Sequence, residues 1–290
     1  MDRNYLFHMS LTLFFMPQVF VFFLCFILPP FFIFKWIRVV IRCVAQEDLR
    51  GKVVLITGAS SGRGEQLACE YAKRGACLVI VARREKELEK VAERARGLGS
   101  PQVLPIRADV SNADECKRFV DGAIKHFGKL NHLVNNAGII NIGLMEQVPD
   151  VKKLLPIMDE NFWGCLYPTY FAIRHLKETK GKIIVVSSVG AMMNTPRLSL
   201  YAASKAALIS FYDTLRAECP EIRVTIVTPG FVESEMTKGK LLSKDGVVVV
   251  DPQSKDDVIR GMPIMSSGNC AEVIVEAVRR GERSVTVPQW

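Results

Sequence analysis

Residues 52–64 read Lys-Val-Val-Leu-Ile-Thr-Gly-Ala-Ser-Ser-Gly-Arg-Gly. An apolar, β-branched run enters a glycine-rich turn, and Leu67, Ala68, Tyr71 and Ala72 follow it at i, i+1, i+4, i+5 spacing. The pattern predicts a strand buried on both faces, a tight turn, and an amphipathic helix over about residues 62–74. Glycine lets a backbone approach an anionic group closely, and a helix start offers that group free N–H donors and the positive end of a dipole. The glycine spacing is G-x-x-x-G-x-G, not the commoner G-x-G-x-x-G.

The same alternation continues outward. Residues 77–82, 103–108, 130–135, 182–187, 223–228 and 284–287 read as six further strands, and 85–96, 113–127, 150–177, 202–219 and 271–280 as helices. Strand and helix in turn imply an α/β fold with a doubly wound, parallel, seven-stranded, Rossmann-like sheet and helices on both faces. Such a sheet places its ligand at the carboxyl ends of the strands. Residues 233–267, with four consecutive valines from Val247 to Val250, fit none of these units and read as a flap over the site.

Residues 1–50 differ from the rest. Ten of the 16 phenylalanines precede Lys35, and Met9 to Phe34 contains no charged residue. As a straight helix this stretch reaches about 39 Å, against a bilayer core of about 30 Å. Pro17 and Pro29-Pro30 divide it, so a kinked single span and a monolayer-embedded hairpin with a proline knob both remain open. No small-x-small cleavage pattern precedes Lys35, which argues against a removable leader. Lys35, Arg38 and Arg42 follow, and the positive-inside rule then places residues 51–290 on the cytoplasmic side.

Residues 51–290 carry 33 Lys/Arg against 27 Asp/Glu with no basic, aromatic-interleaved cluster, which excludes nucleic acid as the expected partner. The eight cysteines are scattered with no C-x-x-C, and the four histidines have no metal-ligand spacing, so neither disulfides nor a metal are expected.

Several side chains fall at strand ends, where the ligand belongs. Thr57, Gly58, Ser60, Ser61, Gly62, Arg63 and Gly64 form the turn. The second strand ends at Ala82-Arg83-Arg84. A ribose 2′-hydroxyl is held there by a carboxylate and a 2′-phosphate by a cation, so Arg83 points to NADP(H), unless it only begins a solvated helix face. Asp109-Val110 closes the third strand, where the Asp109 carboxylate would accept from an adenine amino group, and Asn135-Asn136-Ala137-Gly138 closes the fourth. Tyr201 and Lys205 lie four apart on one helix face, where an ammonium would lower the phenol pKa and make it a proton donor or acceptor. Ser188 ends the fifth strand, in reach of a substrate oxygen, and Asn161 offers an amide for a water linking Lys205 to solvent.

Gly58/Gly62/Gly64, Asp109, Asn135-Asn136-Ala137-Gly138, Asn161, Ser188, Tyr201-x-x-x-Lys205 and Pro229-Gly230, in this order, resemble the short-chain dehydrogenase/reductase family over about residues 50–288. With the proline-interrupted Phe-rich front, the chain further resembles the plant steroleosins, 11β-hydroxysteroid dehydrogenase-like proteins of seed oil bodies. The resemblance implies hydride transfer between NADP(H) and a hydroxyl or keto group of a steroid-like lipid. Tyr201 would be general acid and base, Lys205 would hold the nicotinamide ribose, Ser188 would position the substrate oxygen, and Asn161 would keep a proton relay. Pro229, Gly230, Val232 and Ser234 would meet the nicotinamide carboxamide. It further implies a lipid-droplet or endoplasmic reticulum membrane, a cytosol-facing catalytic part and a homodimer.

Two departures stand out. Arg63 occupies a position that is isoleucine in the family, putting a long cation in the cofactor turn, and the steroleosin-like chains continue beyond the equivalent of Trp290, so part of the pocket or dimer surface is expected to be missing. The competing readings are a reductase of another lipid carbonyl and a catalytically silent coat or sterol-binding protein. The joint presence of Tyr201, Lys205, Ser188 and Asn161 favours the enzyme over the silent protein.

Overall fold

The N-terminal unit is a continuous apolar helix. In the computed structural model, which describes residues 3–44, 46–193, 195–259 and 261–288, α1 (Arg3–Phe22) passes through a π-helical turn (Phe23–Ile27) into α2 (Leu28–Val44). The break expected at Pro29-Pro30 does not occur. A proline lacks the N–H for its helical bond, and its ring clashes with the carbonyl four residues back. The wider π turn sits just before the pair, with the Leu28 N–H bonded to the Phe23 carbonyl five residues back. Leu11–Ile37, 27 residues of mean hydropathy 2.4, is long and apolar enough to cross a membrane and is a candidate anchor.

The chain divides into two compact units between Gln46 and Glu47. The outer limits expected for the two parts, residues 1 and 290, lie outside the described residues.

The second unit is the doubly wound α/β domain. Its elements run β1 (Val53–Thr57), α3 (Gly62–Lys73), β2 (Cys77–Ala82), α4 (Glu85–Gly97), β3 (Val103–Arg107), α5 (Ala113–Phe127) and β4 (His132–Asn135). They continue with α6 (Leu155–Met158), α7 (Gly164–Thr179), β5 (Lys182–Val186), α8 (Ser199–Glu218), β6 (Arg223–Pro229), β7 (Lys240–Leu242), β8 (Val248–Val250), α9 (Pro252–Ile259), α10 (Ser267–Arg279) and β9 (Ser284–Val287). Seven strands form one parallel sheet in the order β3-β2-β1-β4-β5-β6-β9.

The period-two alternation of the strands sorts their side chains into two cores. Val54, Ile56, Leu78, Ile80, Val134 and Ile184 pack under α3, α4 and α10, while Val53, Leu55, Val79, Val81, Leu133 and Ile183 pack under α5, α7 and α8. The helices begin and end on recognisable signals. Asn112 accepts from the N–H groups of Asp114 and Glu115 to start α5, and Gly128, at φ +71°, ends it.

The single helix expected over 150–177 is instead a 3-10 turn (Val151–Leu154), α6, a π-helical turn (Asp159–Trp163) and α7. Asp150 caps the first turn, and Pro156 sits at the start of α6, where its missing N–H removes no bond. Residues 233–267 contain the antiparallel hairpin β7-β8 and helix α9. The Leu242 N–H donates to the Ile140 carbonyl at 2.8 Å, tying the hairpin to the loop after β4. Neighbours β1 and β4 continue to opposite sides of the sheet, and the crevice above their carboxyl ends holds the site.

Candidate active site

Thr57 knots the tops of β1 and β4 together. Its hydroxyl donates to the Val134 carbonyl and accepts from the N–H groups of Asn136 at 3.0 Å and Ala137 at 3.1 Å. The turn beyond it depends on glycine: Gly58 and Gly62 lie at φ +66° and +56°, and a Cβ on Gly64 would stand 2.1 Å from the Gly58 carbonyl oxygen. Ser61 begins α3 without a side-chain cap, which leaves the first-turn N–H groups of that helix for a ligand.

A cleft of about 420 Å³ opens over this turn. Its floor is the turn itself with Asn136, Ala137 and Gly138; its far end is Ala82, Arg83, Arg84, Asp109, Val110 and Glu160; Ser234, Glu235, Lys240, Leu241 and Val248 close it from the flap side. Glycine turn, uncapped helix start and cationic far end fit a dinucleotide.

The two arginines after β2 divide the far end between them. Arg83 pairs with Glu160 at 2.5 Å and with Asp109 at 3.7 Å. Arg84 pairs with Glu235 and donates to Ser60 Oγ at 3.2 Å and Ser61 Oγ at 2.6 Å. Arg83, expected to meet a phosphate, lines the cleft paired with the carboxylates of Glu160 and Asp109, and Arg84 stands beside it, paired with Glu235 and reaching the glycine turn. In near-extended backbone, consecutive side chains leave on opposite sides. Burial pushes the Glu160 carboxyl upward against the charge and hydrogen bond of Arg83. Burial also raises Glu235, but its bonds to Lys240 and Arg84 outweigh that and hold it below the usual carboxylate range. Asp109 spends Oδ1 on the N–H and hydroxyl of Ser111.

At the other end, β5 delivers Ser188, and α8 delivers Tyr201 and Lys205. Ser188 and Tyr201 meet around Gly190, where a Cβ would stand 3.5 Å from Ser188 Oγ and 3.6 Å from the Tyr201 ring, and Ser188 Oγ accepts from the Gly190 N–H at 3.1 Å. Lys205 Nζ lies 5.9 Å from the Tyr201 ring centroid and donates to the Val186 carbonyl at 3.1 Å. Asn161, in the π-helical turn, accepts from the Ile139 N–H at 2.8 Å and donates to the Ile139 carbonyl and Ser204 Oγ, each at 3.0 Å. Gly138 is where these groups converge: a Cβ there would stand 2.8 Å from Asn161 Oδ1 and 3.3 Å from Lys205 Nζ.

Burial dominates the electrostatics of this pair. Burial raises Tyr201, opposed by the Ser188 hydrogen bond and by the charge of Arg63. Burial brings Lys205 down to about 8, and Arg63 adds to the fall. Arg63, whose Nε donates to Asn136 Oδ1 at 2.9 Å, opposes the rise of Tyr201.

Other expected contacts are also displaced. The Thr57 hydroxyl is consumed within the backbone, and Asn135 is buried, its amide donating to the Cys165 carbonyl, Thr169 and Tyr212 rather than into the cleft. Of the residues expected at the carboxamide, Ser234 lines the cleft, whereas Pro229 and Val232 are buried and the Gly230 N–H donates to the Val287 carbonyl. Glu160, Arg84, Glu235 and Lys240 were not singled out as site residues from the sequence.

Fold and cleft together define an α/β protein whose cleft fits a dinucleotide, with a tyrosine, a lysine and a serine grouped beside Gly138. The family model described as short chain dehydrogenase matches residues 52–244, and the chain belongs to the short-chain dehydrogenase/reductase family of oxidoreductases. It is 51% identical over 286 residues to 11-beta-hydroxysteroid dehydrogenase A of Arachis hypogaea, covering 98% of this chain and 82% of that one. It is 50% identical over 268 residues to 11-beta-hydroxysteroid dehydrogenase 1A of Arabidopsis thaliana, covering 92% and 77%. Among solved structures, a short-chain dehydrogenase/reductase of Burkholderia phymatum in complex with NAD superposes with a TM-score of 0.74 at 23% identity, covering 83% of this chain and 90% of that one. An alcohol dehydrogenase of Thermococcus sibiricus complexed with 5-hydroxy-NADP gives 0.70 at 23%, covering 83% and 100%. At that identity the two structures share the fold.

Proposed function

We propose that the protein is a membrane-anchored oxidoreductase that uses NADP(H) on a hydroxyl or keto group of a steroid-like lipid. The observation that carries the reaction is the grouping of Ser188, Tyr201 and buried Lys205 next to Gly138, which lines a cleft fitted to a dinucleotide. The bound nicotinamide supplies or receives the hydride. Ser188 and Tyr201 would both hydrogen-bond the substrate oxygen. In reduction Tyr201 donates the proton to that oxygen, and in oxidation its phenolate removes it. Lys205, held by the Val186 carbonyl, would hold the nicotinamide ribose with its remaining donors. Asn161 bridges the loop after β4 to α8 and would hold the relay water.

The choice of NADP(H) over NAD(H) rests on Arg84 with Ser60 and Ser61, a cation and two hydroxyls at the glycine turn. The substrate class rests on the names carried by relatives at about half identity and on the exposed Met192 and Met193 just beyond Ser188. The apolar Leu11–Ile37 followed by Arg38 and Arg42 supports attachment to a membrane, of the endoplasmic reticulum or lipid droplets, with the catalytic unit in the cytosol.

The test uses the full-length chain in detergent: titration with NADPH and NADH, then turnover of a steroid ketone. Tight NADPH binding with turnover is expected. Binding without turnover of any lipid carbonyl would favour a silent sterol-binding protein.

A further inference from the structure

Arg63 interrupts the glycine turn between Gly62 and Gly64, and its side chain lines the cleft. Nε donates to Asn136 Oδ1 at 2.9 Å, and Asn136 is itself fixed by its Nδ2 on the Thr57 carbonyl at 3.0 Å. Two residues further on, Gly138 abuts Lys205 Nζ, so the guanidinium and the ammonium flank the same short strand exit, 136–138. Arg63 acts electrostatically on Tyr201, Lys205 and buried Cys270. Arg83 and Arg84 are paired with carboxylates, whereas among the described residues no carboxylate is ion-paired with Arg63. A fixed cation without a counter-charge thus stands at the reacting end.

We propose that Arg63 makes the cleft discriminate between the redox forms of the cofactor, holding the reduced nicotinamide more tightly than the oxidised one. The inference rests on the dinucleotide reading above. The oxidised ring carries a positive charge and the reduced ring none, while the phosphates are the same in both. A cation beside the ring therefore penalises the oxidised form alone, and a cation gripping the phosphates would favour both forms equally. At an effective dielectric of about 20, two unit charges roughly 10 Å apart repel by enough for an affinity difference on the order of tenfold.

The experiment titrates the full-length protein in detergent with NADPH, NADP+, NADH and NAD+, by nucleotide fluorescence and by competition, for the unaltered chain, Arg63→Met and Arg63→Lys. Arg63→Met is expected to narrow the gap between reduced and oxidised forms about tenfold, by tightening the oxidised one. Arg63→Lys is expected to keep most of the gap. Thermal melting checks that each variant is folded, and Arg63→Gln replaces Arg63→Met if that chain is not. An unchanged gap, or an equal loss for both forms, overturns the proposal and leaves the dinucleotide reading standing. Failure of the unaltered chain to bind any of the four overturns both.

Discussion

Glu235, from the segment that covers the cleft, is ion-paired with Arg84 at the end of β2, and Lys240 of the β7-β8 hairpin holds the same carboxylate at 2.7 Å. A side-chain carboxylate thus sits on the cation proposed for the 2′-phosphate, next to Ser60 and Ser61. Two anions cannot share Arg84 without repulsion, so Glu235 competes with the phosphate.

Glu235→Gln removes the competing charge and keeps the size of the side chain. NADPH affinity is expected to rise several-fold and NADH affinity to stay within about twofold, since only the former carries the 2′-phosphate. Arg84→Ala should do the opposite, weakening NADPH by roughly tenfold or more, the loss of a charge-assisted contact. Fluorescence titration of both nucleotides reads both outcomes, and an equal effect of Arg84→Ala on the two would remove Arg84 from the phosphate site.

Tyr201→Phe deletes the hydroxyl and leaves the ring and Lys205 in place. Turnover should fall by about 10²–10⁴-fold while the dissociation constant of NADPH moves little. Retained turnover would exclude Tyr201 as the proton donor.

The pH dependence follows from the upward shift of Tyr201 and the fall of Lys205 to about 8. Oxidation needs the phenolate, so its kcat should climb with pH through neutrality and beyond. Reduction needs the protonated phenol, so it should be flat near neutrality and decline only in alkali. Arg63 opposes the upward shift of Tyr201, so Arg63→Met should move the oxidation profile to still higher pH. Rate profiles in both directions, with and without that substitution, test the assignment.

Residues 52–64 carried the fold because strand, turn and helix there follow from local chemistry: β-branched residues, glycines at positive φ, and an apolar face. Tyr201, Lys205, Ser188 and Asn161 were legible because their motif spacing sets their place at strand ends and on a helix face. Side-chain direction was not. Asn135 and Asn136 are neighbours, yet one amide is buried toward Tyr212 and the other closes the turn at Thr57. Nor were the ion pairs Arg83–Glu160 and Arg84–Glu235, which join residues far apart in the chain; single charges in a sequence read as solvated. Pro29-Pro30 reads as a helix break because the rule concerns an α-helix, and the π turn before the pair satisfies the chain in another way.

The base of the catalytic unit makes the last prediction. Glu47, one residue beyond the junction with the anchor unit, sends Oε2 to Lys182 Nζ at 2.6 Å and to His132 Nε2 at 3.2 Å, and His132 Nδ1 meets the Tyr71 hydroxyl at 3.2 Å. Burial raises the Glu47 carboxyl, but the bonds and charges of His132 and Lys182 outweigh it and hold it far below its ordinary 4.5. Burial lowers His132, opposed by its hydrogen bond to Glu47 and the charge of that carboxylate. A carboxylate with a depressed folded pKa contributes stability that is present above its unfolded pKa and lost as the pH falls toward the folded value. A histidine with a depressed folded pKa acts in the same direction, because the unfolded chain takes its proton first. Glu47→Gln leaves Lys182 buried without its counter-charge, a loss of about 3–5 kcal/mol, or on the order of 10 °C in Tm for a domain of this size. That gap should be widest near neutral pH and narrow progressively as the pH falls below about 4.5, where the unfolded chain takes up a proton that folded Glu47 still refuses. Melting curves of the two proteins from pH 7 to pH 3 check it, and a gap that stays constant over that range would mean that the charge of Glu47 does not stabilise the fold.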